Sequence, residues 1–259
     1  MKGLVLDLRN NPGGVVQAAL ETASLFLKAG QRILSVKGRS IQGENVDVPK
    51  NAEPYGFPLA VLVNEKTASA AEIVTGALQD DKRAVVVGEP TYGKGLVQSV
   101  FNLSGNTALA LTTAYYYTPS GRSIQRPLQN VLLQSETKGN TGGIRPDVFV
   151  QPDAVTRLRA VLEGSGSFAA FGTDYLSKHK IDDSFQVSPD MMDDFRVYLS
   201  GRQIQPSVAE WLGAKAWIES RLQQEVVTLA LGVEKGDEIE MRHDPVVRRA
   251  IESVEARGS

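Results

Sequence analysis

Short apolar runs and helically spaced apolar residues alternate through the first half of the chain, and helical spacing alone governs the rest. Strand-like runs fall at Leu4 to Leu8, Ile33 to Val36, Leu59 to Val63, Ala84 to Val87, Gly95 to Leu103 and Ala108 to Tyr117, with helix-like runs at Val15 to Lys28 and Ala70 to Gln79. Apolar runs of this length bounded by turn residues fit buried strands, and strands interleaved with helices predict an α/β core around a mostly parallel sheet. The last two strand-like runs flank Ser104-Gly105-Asn106, a turn that makes them an antiparallel pair. A short helical turn at Asp153 to Leu162 leads into Glu163-Gly164-Ser165-Gly166-Ser167, whose composition marks a linker. The pattern therefore divides the chain into a core, residues 1–163, and an α-helical C-terminal module, residues 168–259.

In that module Phe168, Tyr175 and Leu176 share one helix, and Ser188-Pro189-Asp190-Met191 opens a second with Ser188 as its cap. Ser207 to Leu231 carries Leu212, Trp217, Ile218, Leu222, Val226 and Leu229 near helical spacing, which predicts a long amphipathic third. Asp244-Pro245 begins a last one, Val246 to Ala256. Such a module can pack on the core, dimerise or cover a site, and core packing is the plainer reading. Its tryptophans, Trp211 and Trp217, read as core rather than as a ligand cage.

Composition narrows the functional classes. A chain of 259 residues with 42% hydrophobic residues and a formal net charge of −2 reads as an ordinary globular protein, without the basic excess of a nucleic-acid binder. Its apolar stretches fall short of the roughly 20 residues a membrane-spanning helix needs. Cysteine is absent and the two histidines, His179 and His243, both lie beyond residue 170, so neither a zinc site nor a Ser-His-Asp triad is expected. No cofactor is implied.

The candidate chemistry sits at two strand ends. Ser69 lies where the apolar run Leu59 to Val63 gives way to the helical run from Ala70, a junction that exposes a hydroxyl beside backbone N–H groups. Lys94 follows in Gly88-Glu89-Pro90-Thr91-Tyr92-Gly93-Lys94-Gly95, after the run Ala84 to Val87. Each has an ordinary explanation: Ser69 as a helix cap, with Glu72 completing a Ser-x-x-Glu capping box, and Lys94 as a solvated loop charge. A phosphate-binding loop is excluded, because no Lys-Ser or Lys-Thr follows the second glycine. Together, in a chain with no well-placed histidine, they suggest a Ser-Lys hydrolase, since a desolvated lysine amine can activate a serine. Asp7 and Arg9 read as a structural salt link, and Tyr115, Tyr116 and Tyr117 as lining both faces of a strand.

Four segments in order carry a family likeness: Leu4-Val5-Leu6-Asp7-Leu8-Arg9-Asn10-Asn11-Pro12-Gly13-Gly14, Thr67-Ala68-Ser69-Ala70-Ala71-Glu72-Ile73, Gly88 to Gln98, and Tyr117-Thr118-Pro119-Ser120-Gly121-Arg122-Ser123-Ile124. With these, residues 2–150 resemble the catalytic core of the C-terminal processing, or tail-specific, serine proteases. The resemblance implies a crotonase-like fold shared with the ClpP proteases. It makes Ser69 the nucleophile, Lys94 the general base and Gln98 the residue that orients the lysine. Backbone N–H groups of Ala70 and of the Gly13-Gly14 turn would form the oxyanion hole. Glutamine can accept a hydrogen bond from a lysine without stabilising the ammonium as a carboxylate would. An extended strand separates residues four apart by roughly 13 Å, so Gly93 and Gly95 must bend the chain for Lys94 and Gln98 to meet.

The implied activity is endopeptidase cleavage of protein chains near their C-termini through an acyl-enzyme. The alternatives are a non-catalytic binding or scaffold fragment of the same fold, or an esterase acting on small esters. Met1-Lys2-Gly3 runs straight into the first strand without the features of a secretion signal. Set against the family's usual layout, the chain is expected to be an N-terminally truncated member lacking the PDZ domain. Its sheet would then have an edge for another chain to cover, which, like the C-terminal helices, offers a route to a homo-oligomer. The compartment of this chain is undefined, while proteases of the family are typically periplasmic or otherwise extracytoplasmic.

Overall fold

The computed structural model describes residues 1–39, 43–127, 142–151 and 153–258. Two compact units divide the chain: Met1–Gln151 together with Arg249–Ser259, and Pro152–Arg248.

The first unit contains β1 (Leu4–Asp7), α1 (Val16–Ser24), β2 (Arg32–Gly38), β3 (Glu44–Asp47), β4 (Leu59–Val63), α2 (Ala70–Asp80), β5 (Val85–Gly88), β6 (Leu96–Asn102), β7 (Ala108–Tyr117) and β8 (Val148–Phe149). One sheet is wholly parallel, in the order β1-β4-β5-β8. Its central strands are apolar from end to end because both faces are covered; every residue of β4 is buried. Each fully buried leucine or valine there contributes about 1.5–3 kcal/mol. The second sheet is antiparallel, β3-β2-β7-β6. The antiparallel pair expected from the sequence is present as β6 and β7, joined through Gly105 and Asn106, both at positive φ. It is widened to four strands because β2 pairs with β7 and β3 with β2.

Helix α2 touches both sheets as well as α1. Its residues Ala70 to Leu78 are all buried, as a helix between layers must be. Helix α1 stops at Ser24 rather than at Lys28. The Leu25 carbonyl accepts from the Tyr55 N–H (2.8 Å), while Phe26 and Leu27 turn into the core. The polar, glycine-rich sequence over residues 120–148 reads as a loop, and its residues 128–141 lie outside the described residues.

The second unit is helical: α3 (Arg157–Gly164), α4 (Ser167–Lys178), α5 (Pro189–Gly201), α6 (Val208–Leu231) and α7 (Val233–His243), with α8 (Pro245–Gly258) beginning in it. Ser188 caps α5 and Ser207 caps α6, accepting from Met191 N (3.2 Å) and Glu210 N (3.2 Å). The Glu163–Ser167 segment falls at the α3–α4 junction, where Gly166 has φ 63°. On α6 the buried face is Trp211, Ala214, Ile218, Leu222 and Val226, whereas Leu212 and Leu229 are exposed. Trp217 packs edge-on against Phe168, its ring centroid 5.7 Å away, so both tryptophans serve packing. The described residues include no helix long and apolar enough to cross a membrane.

Candidate active site

Because β1, β4 and β5 are parallel neighbours, the segments that follow them emerge at one edge of the sheet, the C-terminal edge at which open α/β sheets hold their ligands. The segment after β1 carries Gly13 and Gly14, the one after β4 carries Ser69, and the one after β5 carries Lys94. The serine segment is in the middle.

Hydrogen bonds sew the three together. Thr67, wholly buried, donates its hydroxyl to the Leu8 carbonyl (2.8 Å) and accepts from the Asn64 N–H (3.0 Å). Asn10 and Asn64 exchange two bonds, 2.9 and 3.0 Å, and the Ala68 N–H donates to Asn11 O (2.9 Å). On the other side the Tyr92 N–H donates to Thr67 O (2.9 Å).

Ser69 itself adopts φ 57°, ψ −120°, a conformation that glycine takes freely and a serine takes only under constraint. This sharp turn from β4 into α2 is the geometry that lifts a serine above a sheet. Gly13, at φ 89°, lies directly against it: a Cβ built there would be 2.8 Å from Ser69 Cβ, 2.8 Å from Ala70 N and 2.6 Å from Ala68 O. Gly14 is exposed, with nothing within 4 Å of a built Cβ. The two glycines thus differ: the Gly13 N–H is engaged by Asn11 Oδ1 (2.9 Å), whereas the N–H groups of Gly14 and Ala70 have no acceptor among the described residues.

Glu72 is the residue whose reach exceeds the sequence reading. It forms the expected capping box, with its Oε2 2.8 Å from the Ser69 N–H. The same oxygen also accepts from the Lys94 N–H (2.8 Å), so the two backbone nitrogens lie no more than twice that distance apart. The other oxygen accepts from the Gly93 N–H (2.7 Å) and the Thr91 hydroxyl (2.5 Å). The i,i+3 spacing signals the cap; nothing in the sequence signals donors 19 to 22 residues further on.

Lys94 and Gln98 are both exposed, and among the described residues no hydrogen bond joins the Lys94 amine to Ser69 or to Gln98. Gly93, at φ 89°, bends the chain before β6, and an irregularity in register falls between Val97 and Gln98. Asp7 and Arg9 form a salt bridge of 2.6 Å with both side chains partly exposed. Of the three tyrosines, Tyr115 is exposed, Tyr117 lies under the Lys37 amine (5.1 Å), and Tyr116 packs on the core, where burial raises its phenol above the usual range. His179 and His243 are exposed residues of the second unit. Among the described residues no cluster of metal-ligating side chains occurs.

Residues 1–150 match the family described as Peptidase family S41. Over 125 residues, 48% of the chain, the sequence is 47% identical to a carboxyl-terminal-processing protease of Synechocystis sp., of which it covers 29%. Over 143 residues, 55% of the chain, it is 43% identical to carboxyl-terminal-processing peptidase 1, chloroplastic, of Arabidopsis thaliana, of which it covers 26%. The chain thus spans less than a third of the length of these relatives. Among solved structures, a photosystem II D1 C-terminal processing protease superposes with a TM-score of 0.51 and 35% identity, covering 60% of this chain and 36% of that one.

Proposed function

The chain belongs to peptidase family S41, and on that premise we propose that it is a serine endopeptidase cutting protein substrates near their C-termini through an acyl-enzyme on Ser69. The observation that carries this reading is the meeting, at one sheet edge, of a constrained serine turn, a glycine packed against it, and a lysine whose backbone shares a hydrogen-bond acceptor with that serine.

In this reading Lys94 takes the Ser69 hydroxyl proton as Oγ attacks the scissile carbonyl. The N–H groups of Ala70 and of the Gly13-Gly14 turn receive the oxyanion; among the described residues Gly14 and Ala70 have theirs unengaged, while Gly13 supplies the close approach. Lys94 then delivers a proton to the leaving amine, and water releases the acyl group. Gln98 orients the lysine, whose flexible four-carbon stem carries the amine across the remaining distance once the backbone is placed. The substrate class follows the printed names of the relatives, which are carboxyl-terminal-processing enzymes. An extended peptide can add a strand to an exposed sheet edge. Slower hydrolysis of small activated esters follows from the same groups, and an extracytoplasmic setting belongs to this reading.

Labelling by a serine-reactive phosphonate tests it. The chain should be labelled and should cleave casein or a peptide ester, and Ser69→Ala should do neither. Labelling retained in Ser69→Ala overturns the nucleophile. Silence in every assay points to a binding or scaffold fragment.

A further inference from the structure

We propose that Glu72 is a positioning residue whose two carboxylate oxygens fix the Lys94 loop against the Ser69 turn; the inference rests on the Ser-Lys reading above and names what holds that pair in register. The capping box accounts for one of the four bonds Glu72 accepts. The other three come from Thr91, Gly93 and Lys94, none of which belongs to α2. A helix cap has no need of them.

The arrangement also fixes the chemistry of the group. Glu72 is fully buried, and all four donors point at it: Oε1 receives the Thr91 hydroxyl and the Gly93 N–H, Oε2 the Ser69 and Lys94 N–H groups. A carboxylate that accepts at both oxygens and donates nothing is satisfied as the anion, and a protonated acid would set its own O–H against one of these donors. No ion pair involves it among the described residues, so backbone and hydroxyl dipoles do the work of a counter-charge. With its acceptor sites occupied and no exposure to solvent, Glu72 is unsuited to shuttling protons. Thr91 extends the bracing: its hydroxyl accepts from the Ile144 N–H (2.7 Å), its N–H donates to Ile144 O (3.0 Å), and its carbonyl accepts from Arg126 Nη2 (2.8 Å). The far end of the lysine loop is thereby anchored to the segment ahead of β8, and the near end to Glu72.

Glu72→Gln is the discriminating substitution. It keeps the volume and one acceptor oxygen, but turns an NH2 toward two donors, either those of Thr91 and Gly93 or those of Ser69 and Lys94. Amide exchange followed by NMR should quicken about tenfold or more at Ser69, Gly93 or Lys94, with amides in the middle of α2 unchanged. The rate constant for phosphonate labelling per folded molecule should fall about 100-fold, with kcat for a peptide ester falling alike and KM staying within about twofold, the signature of lost orientation rather than lost binding. A residue important only for stability would lower the melting temperature and leave labelling of the folded fraction unchanged. Should Glu72→Gln fail to fold, Thr91→Val, which removes one donor at nearly constant volume, should quicken exchange at Gly93 and Lys94 and slow labelling at least about threefold. A folded variant whose exchange at these amides and whose labelling both stay within about twofold of the parent overturns the proposal. If the parent chain takes no label while the exchange changes appear, the tether stands and the peptidase reading falls. If the parent takes label and the variants match it in both measurements, the tether falls alone.

Discussion

Replacing Gly13 with alanine puts the construction of the site to its sharpest test, because the neighbouring Gly14 provides an internal control. A Cβ at residue 13 would meet the Ala68 carbonyl oxygen at 2.6 Å, and to restore ordinary contact at 3.4 Å that oxygen would have to retreat by about 0.8 Å (3.4 less 2.6). The same Cβ presses on Ala70 N and Ser69 Cβ at 2.8 Å, so relief on one side worsens another. To this is added about 1–2 kcal/mol for holding a non-glycine residue at positive φ, here φ 89°. Displacements approaching 1 Å at reacting atoms cost on the order of 100-fold in rate. Gly13→Ala is therefore expected to lower the phosphonate labelling rate about 100-fold and to lower the melting temperature as well. Gly14→Ala, with no atom within 4 Å of the added Cβ, should lower the melting temperature far less than Gly13→Ala. The measurements are labelling rate constants by intact-mass spectrometry and thermal denaturation by circular dichroism. Gly13→Ala labelled at the parent rate, or Gly14→Ala equally destabilised, would refute this account of how Ser69 is held.

Two further substitutions probe the frame around the site. Asp81, at the C-cap of α2, has a buried oxygen without a hydrogen-bond partner among the described residues, and burial together with the neighbouring Asp80 raises its carboxyl above the usual 3.8. A folded-state value above the unfolded one makes the ionised group a cost that sets in as pH rises through 3.8 and is complete above the folded value. Asp81→Asn should accordingly stabilise the protein at neutral pH, with the gain vanishing below 3.8; a gain that persists at lower pH, or a loss at neutral pH, contradicts this. Thr67→Val removes a buried hydroxyl bonded to Leu8 O and Asn64 N, and should cost about 1–3 kcal/mol in urea denaturation. An unchanged midpoint would show that those bonds do not hold the β1 and β4 segments together.

The elements that can be read from sequence are those with one-dimensional signals. Leu59–Val63 is an unbroken apolar run and forms β4 with those same ends, and the Ser69 junction coincides with the start of α2. Strand β3, Glu44-Asn45-Val46-Asp47, carries no sequence signal because it is an edge strand held by backbone pairing to β2, with Val46 its one apolar residue. Helix α7 has no separate signature because Gly232, at φ 99°, breaks what resembles the tail of α6, and the helix beyond it buries only Gly236. At the site, Ser69 and Lys94 were legible as residue types at strand ends. The packing of Gly13 on Ser69 and the four-donor arrangement at Glu72 were not, since both join residues far apart in the chain whose meeting depends on strand order.

The backbone of Ser69 has an evolutionary cost built into it. A side chain at φ 57°, ψ −120° is disfavoured relative to glycine by about 1–3 kcal/mol, so the residue that would do the chemistry is also one the chain would hold more comfortably without a side chain. A lineage released from the need to cut peptides could become hardier by a single change to glycine at this position. On the proposed function, a serine at this position trades stability for reactivity.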